Sequence, residues 1–402
     1  GPHALAALAA LNEGAEQKEG SVCVIDPGAR FMQSWHSRFD ALEINHLRSP
    51  AFAHPAAFDP SALVDYAIAE GRTSELIDAP VSGPWLASTD VHKDKMLKAL
   101  PSMALFRDFC ASLEAKLPHT WLSGWTTSVA KDKDTGAFRV SFKPTEKGQR
   151  ERTVVAKAVI LATGPVGKVN VPPPFEPHLS SKLLLHTESL LGEGKGTLSD
   201  EITKRCPGES ARVLVIGGGI SAAQAAIAAC RAGHKVVLRS RRPVQTAPFD
   251  VGAEWLDMFT ALRVRFEFLC LPMERRSMAV RAATPGGSVP DNYMQELHRL
   301  AAGEAPCLTL EVDECIDDSV VGLNEEAQHV DVNGEAFGIV ILATGVVAAP
   351  WCSPLYHSVK ALLKACTVDG RPRVDSRLRW APDEDIFILV TNAVLELGPG
   401  GG

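Results

Sequence analysis

The sequence predicts an α/β protein that repeats one strand–turn–helix–strand unit, and three observations carry that expectation. First, Val213-Leu214-Val215-Ile216 is a continuous β-rich apolar run of the kind buried on both faces of a parallel sheet. Second, it ends in Gly217-Gly218-Gly219-Ile220-Ser221-Ala222, which fits G-x-G-x-x-[G/A] and opens an alanine-rich stretch. Third, the start of the chain shows the same order with its front cut off, Gly1-Pro2-His3-Ala4 aligning with Gly219-Ile220-Ser221-Ala222.

In the complete copy, Ala223 to Ala232 reads as a helix, Gly233 stops it, and Lys235-Val236-Val237-Leu238 forms the next strand. The spacing has physical reasons. Gly217 allows a tight turn, Gly219 lets the backbone approach a pyrophosphate, and Ala222 lets helix pack closely on strand, with phosphates at the helix N-terminus. A glycine motif inside such a unit marks a Rossmann-like dinucleotide site far more strongly than the motif alone. Arg239-Ser240-Arg241-Arg242 follows the second strand, where a planar guanidinium suits a ribose 2′-phosphate, so this copy reads as an NADPH site with Arg239 and Arg241 as phosphate ligands. A solvated basic loop is the plain alternative.

In the first copy, Val22-Cys23-Val24-Ile25 matches the second strand and ends in Asp26. An acidic residue there suits a ribose without a 2′-phosphate, although Asp26 also opens an Asp-Pro-Gly turn. Opposite 2′ chemistry at two sites reads as FAD first and NADPH second.

Twin strand ends, Val159-Ile160-Leu161-Ala162-Thr163-Gly164 and Val340-Ile341-Leu342-Ala343-Thr344-Gly345, bring in a resemblance over nearly the whole chain. They look like the ends closing each nucleotide domain in flavoproteins with two dinucleotide-binding domains. Within that superfamily the chain is most similar to the NADPH-dependent flavin monooxygenases, the group of N-hydroxylating lysine/ornithine monooxygenases and flavin-containing monooxygenases. The resemblance implies bound FAD, reduction by NADPH, and a monooxygenase that acts through an oxygen adduct of the reduced flavin on a small molecule. The flavin-containing signature F-x-G-x-x-x-H is met only at His186, with Ser180 and Lys182 replacing its other residues. Thr391-Asn392 stands where many relatives carry Gly-Asp, and Gly398 lies in a glycine turn where a final helix would begin. The cofactor-binding set is therefore Gly1, Ala4, Asp26, Thr163, Gly164, Gly217, Gly219, Ala222, Arg239, Arg241, Thr344, Gly345 and Gly398. Catalytic residues and substrate are not marked, nor is any metal-ligand cluster.

The resulting fold class is α/β, two Rossmann-like dinucleotide-binding domains with the NADPH domain inserted in the FAD domain. The expected organisation is 1–171 for the first FAD-binding part, 172–211 for a linker opening with three prolines, 212–335 for the NADPH-binding domain and 336–402 for the last FAD-binding part. Within the first part, Asp134-Thr135-Gly136 should turn a hairpin joining Thr126–Ala130 to Phe138–Phe142, after a helix from Leu105 to Lys116. The first strand and first glycine of the FAD motif would precede Gly1, and a helix would follow Gly398-Pro399-Gly400. The sequence thus reads as truncated at both ends, a fragment expected to hold FAD weakly.

Composition sets the remaining bounds. The 402 residues suffice for two or three domains at about 150 residues each. A formal net charge of −7 gives no global cationic field for nucleic acid. The longest nearly apolar stretch, Val213 to Cys230, contains three glycines with Ser221 and Gln224 and reads as strand into helix rather than a membrane span. Nine cysteines without a Cys-x-x-Cys pair point to a reducing, cytoplasmic setting. Two alternatives stay open: a dithiol reductase, for which Cys307 and Cys315 are the closest pair, and a non-enzymatic nucleotide-binding or regulatory protein on the same fold. Trp35, Asn45, His46, Arg48 and His54 follow the first ribose-binding strand, where the resemblance places segments near the flavin; Asp250, Trp255 and Tyr293 follow the arginine loop. Each is as easily a packing or surface residue.

Overall fold

The structure is a computed structural model that describes residues 1–13, 21–56, 58–79, 91–164, 167–190, 195–207, 210–256, 258–284, 286–303, 305–348, 352–363, 367–389 and 393–399. Thr391-Asn392 and Cys366 lie outside the described residues.

The first unit opens with α1 (Pro2–Glu13), β1 (Cys23–Asp26), α2 (Gln33–Ala41), α3 (Ala62–Ala69) and α4 (Met103–Glu114). The Ser102 hydroxyl caps α4 by accepting the Leu105 N–H, which places its start two residues before the sequence expectation. These helices close one apolar cluster around Leu5, Phe31, Leu63, Leu105 and Phe106. There β2 (Thr120–Lys131), β3 (Phe138–Pro144) and β4 (Arg152–Ala156) continue from β1 into a four-stranded sheet of order β1-β2-β3-β4. The expected hairpin forms with Thr126 opposite Phe142, its turn held by Asp132 Oδ1 accepting from the Asp134 and Thr135 amides. β5 (Val159–Leu161) and β6 (Gly167–Val169) end this part.

The second unit contains β7 (Leu184–His186), α5 (Leu198–Arg205), β8 (Arg212–Ile216), α6 (Ile220–Arg231), β9 (Lys235–Ser240), β10 (Gln245–Thr246), α7 (Met258–Leu269) and α8 (Met273–Ala283). It continues through β11 (Ser288–Val289), α9 (Asp291–Ala302), β12 (Leu308–Val312), the meander β13 (Val321–Asn324), β14 (His329–Val332) and β15 (Glu335–Phe337), and then β16 (Ile339–Leu342). Its main sheet is all parallel, in the order β12-β9-β8-β16-β7. Burial of Val213, Leu214, Val215 and Ile216 follows from helices on one face and the meander on the other.

This topology corrects two expected boundaries. Residues 172–211 are not a linker: β7 pairs with β16 at the sheet edge, and α5 packs on the same cluster as α6. β16, assigned by sequence to the last FAD-binding part, pairs with β8 in the second sheet. The chain leaves that sheet after Gly345, where β17 (Val346–Ala348) pairs back onto β6. It then adds α10 (Pro354–Leu363), β18 (Ile386–Ile388), which pairs in parallel with β5, and α11 (Val394–Leu397). In the second sheet β8 joins β9 to β16, whereas β1 and β5, their counterparts by sequence, stand in separate sheets among the described residues. No helix among the described residues is long and apolar enough to cross a membrane.

One buried group sets an acid limit. His36 on α2 is buried with no hydrogen-bond partner for either ring nitrogen. Burial, aided by the Arg107 charge, lowers its pKa to about 4. The folded state therefore holds His36 neutral while the unfolded chain takes up a proton below about pH 6.5, so stability present above that pH is lost as pH falls towards 4. The separation corresponds to about 3 kcal/mol. Urea denaturation of the wild type and His36→Leu across this window should show a clearly shallower pH dependence in the variant. Parallel curves would refute the assignment.

Candidate functional site

The second glycine loop is a tight turn closed against the neighbouring strand end. Gly217 has φ +148°, and a Cβ there would lie 2.4 Å from the Ala343 carbonyl oxygen and 3.0 Å from Ala222 Cβ. Ala222 is fully buried beneath it, so its small side chain sets how closely α6 approaches the sheet. Gly219 caps α6 without a side-chain acceptor, and a Cβ there would meet nothing within 4 Å. The Ala222 and Ala223 amides turn back onto the Gly219 carbonyl, and Gly219, Ile220 and Ser221 border an open space suited to an anion.

That space is a cleft of about 650 Å³ bounded by Gly217, Gly219, Arg241, Arg242, Thr344 and Gly345, with Asn170 and Arg48 at its edges. Thr344 is held from two sides, its hydroxyl bonded to the Asn170 carbonyl and to His186 Nε2, the latter at 3.2 Å. His186 Nδ1 accepts the Glu188 amide at 3.1 Å, so Nε2 carries the proton and donates to Thr344 Oγ1 and, at 3.3 Å, to the Asn170 carbonyl. Burial lowers the pKa of this histidine, consistent with a neutral ring. It touches the cleft through Thr344 and so is a positioning residue.

Arg239, expected as a 2′-phosphate ligand, is buried in an ion pair and does not line the cleft. Its side chain is 7% exposed, and the parallel register sets Arg239 directly opposite Glu311 on β12. Nε donates to Glu311 Oε2 at 2.9 Å and Nη2 to Glu335 Oε1 at 3.1 Å. Burial opposes its charge, but the hydrogen bonds and fields of Glu311 and Glu335 outweigh that and raise its pKa. The exposed basic side chains on the cleft are Arg241 and its neighbour Arg242, which the cofactor set omitted although the Arg-Ser-Arg-Arg run contained it.

In the first unit the expected residues are dispersed. The Gly1 carbonyl accepts the Leu5 amide at 3.3 Å to begin α1, and Ala4 packs on the apolar cluster. Asp26 Oδ1 accepts the Gly28 amide at 2.8 Å, closing the Asp-Pro-Gly turn. Thr163 Oγ1 lies 3.0 Å from the Tyr356 hydroxyl, and Gly164 takes the same left-handed conformation as Gly345, φ +68° against +75°. Gly398 has φ +82° and faces the Trp255 ring, 2.7 Å from where a Cβ would stand, so its observed neighbour is a packing aromatic. Trp35 packs on Phe39 and Phe106, His54 on Phe109, and Tyr293 on the core of the second unit.

A family model described as pyridine nucleotide-disulphide oxidoreductase matches residues 89–285. Comparison with curated proteins by sequence finds no match. Among solved structures, the cadaverine monooxygenase of desferrioxamine biosynthesis from Erwinia amylovora, bound to FAD, superposes with TM-score 0.67 at 16% identity, covering 98% of this chain and 87% of that one. The reduced form of ornithine hydroxylase from Pseudomonas aeruginosa gives TM-score 0.67 at 16% identity, covering 100% and 95%. The ornithine N-hydroxylase of Kutzneria sp. 744 with reduced FAD, NADP+ and L-ornithine gives 0.66 at 17%, also covering 100% and 95%. The chain has the fold of the flavoproteins with two dinucleotide-binding domains. Within that fold, the cleft described above lies at the ends of the five-stranded parallel sheet of the second unit.

Proposed function

We propose that this chain is an FAD-dependent, NADPH-using oxidoreductase, and within that class a monooxygenase acting on a small molecule. The observation that carries the reading is the cleft, where an open helix N-terminus, a glycine loop a Cβ would obstruct, and two exposed arginines stand together. These residues fit NADPH: the α6 amides and Gly219 would hold the pyrophosphate, and Arg241 with Arg242 the 2′-phosphate. FAD would be held by the first unit, with Thr163-Gly164 closing its nucleotide strand as Thr344-Gly345 does in the second. When bound, the two groups together would supply electron transfer from nucleotide to flavin and then to oxygen.

The three relatives named above share this fold, which supports the monooxygenase reading, and the cysteines weigh against a dithiol relay. No cysteine lines the cleft among the described residues. Cys307 packs with Cys230 in the core of the second unit. Cys230 lies in the last turn of α6, about 15 Å along the helix from the glycine loop, and Cys315 is exposed apart from that core. Small aliphatic amines, the substrates named for the three relatives, are the first candidates to assay. The deciding experiment is the visible spectrum of the purified protein, recorded before and after anaerobic NADPH and again in air. With FAD supplied in excess, a bound-flavin band that bleaches with NADPH, responds more weakly to NADH and recovers in air is the expected outcome. Absence of a flavin band, or bleaching only when a dithiol is present, would overturn the reading.

A further inference from the structure

Arg48 belongs to the first unit by its backbone and to the second by its side chain. Around it, Leu47 N–H donates to the Pro101 carbonyl, Met103 N–H to Asn45 and Ala51 N–H to Ala99, so the segment is fixed beside the start of α4. The guanidinium leaves that framework with only 10% of the side chain exposed. Nη2 shares its two N–H groups among three acceptors, the carbonyls of Ala247 and Phe249, both at 2.9 Å, and the Ser288 hydroxyl at 3.1 Å. Nη1 donates to the Ser288 carbonyl at 3.0 Å and pairs with Asp250 at 2.6 Å.

The acceptors sit on two neighbouring segments of the second unit. β10 and β11 pair in parallel, and the Ala247 amide extends that pairing to the Val289 carbonyl. Phe249 is buried against Leu100, with Phe52 and Ile77 around it, all from the first unit. The same segments wall the cleft next to the arginine pair through Gln245, Asp250 and Ser288. Both Nη groups are committed, which leaves the fork no spare nitrogen of that kind for a bound ligand.

We propose that Arg48 is a positioning residue: by clamping segments 245–250 and 286–289 to the first unit, it sets the angle at which a nucleotide held in the second unit meets the first. The proposal rests on the NADPH-using reading above. A planar fork can span these acceptors at once, whereas a lysine ammonium is a single point with three donors.

The test uses the holoprotein with Arg48→Lys and Arg48→Gln. Amide hydrogen exchange at 245–250 and 286–289 should quicken about tenfold or more in both variants while the core strands keep wild-type rates. Flavin reduction at saturating NADPH should slow by at least about tenfold, because misplacement of reacting groups acts on rate. The Kd for NADPH should rise by less than this rate falls. Unchanged exchange in these segments, or a loss confined to the Kd, overturns the clamp. If Arg48→Gln fails to fold, Arg48→Lys, which keeps the charge, gives both readouts. If the wild-type flavin is not reduced by NADPH at all, the functional reading fails, and hydrogen exchange still decides the clamp on its own.

Discussion

Replacing both Arg241 and Arg242 by alanine is expected to weaken NADPH binding by about a hundredfold or more while changing NADH binding far less. The two side chains are exposed at the rim of the cleft, directly after β9, where a 2′-phosphate would lie if the pyrophosphate sat on the α6 N-terminus. A hydrogen bond to a charged group contributes at least about 1.5 kcal/mol, or roughly tenfold in affinity, and two are removed. Arg239→Met supplies the contrast. It leaves Glu311 and Glu335 without their shared cation, so stability should fall by about 1–3 kcal/mol, yet the NADPH-to-NADH preference should persist. Titration calorimetry with each nucleotide, beside urea denaturation, separates the two roles. Loss of preference in Arg239→Met with preference retained in the double variant would restore the phosphate role to Arg239.

The difference between those arginines shows where sequence is legible. The strand–loop–helix–strand run from Arg212 to Ser240 matches its expected elements within a few residues, because apolar runs, a glycine at positive φ and helix stops are written locally. The hairpin at Asp134-Thr135-Gly136 is local in the same way. The partners of Arg239 lie 72 and 96 residues downstream, and those of Arg48 at least 199 residues away. Neither pairing has a spacing signal, since it exists only after the sheet has closed. β7 was hidden for a related reason: three residues after a proline run carry too little pattern to declare a strand, and only the free edge of β16 makes them one. Asp26 is an intermediate case, because its Asp-Pro-Gly turn was visible in sequence as the competing use of the same carboxylate.

Gly217→Ala and Gly219→Val are expected to fail in opposite ways. At Gly217 the backbone sits at φ +148°, and the added methyl would stand 2.4 Å from the Ala343 carbonyl, a strand end tied to β8 by the Ala343 amide donating to the Ile216 carbonyl at 2.8 Å. Neither side can yield without breaking the sheet, and steric strain with overpacking should reduce stability by about 3 kcal/mol or more. At Gly219 the backbone is extended, φ −99° and ψ −175°, and a Cβ meets nothing within 4 Å, so Gly219→Val should change stability by no more than about 0.5 kcal/mol. Its branched side chain would stand where the pyrophosphate must approach the α6 amides. NADPH affinity should therefore fall by about a hundredfold or more in a protein that still folds normally. Thermal denaturation and nucleotide titration on both variants decide the matter. Wild-type NADPH affinity in Gly219→Val would show that the nucleotide does not use this loop, and wild-type stability in Gly217→Ala would show that the turn is not sterically closed.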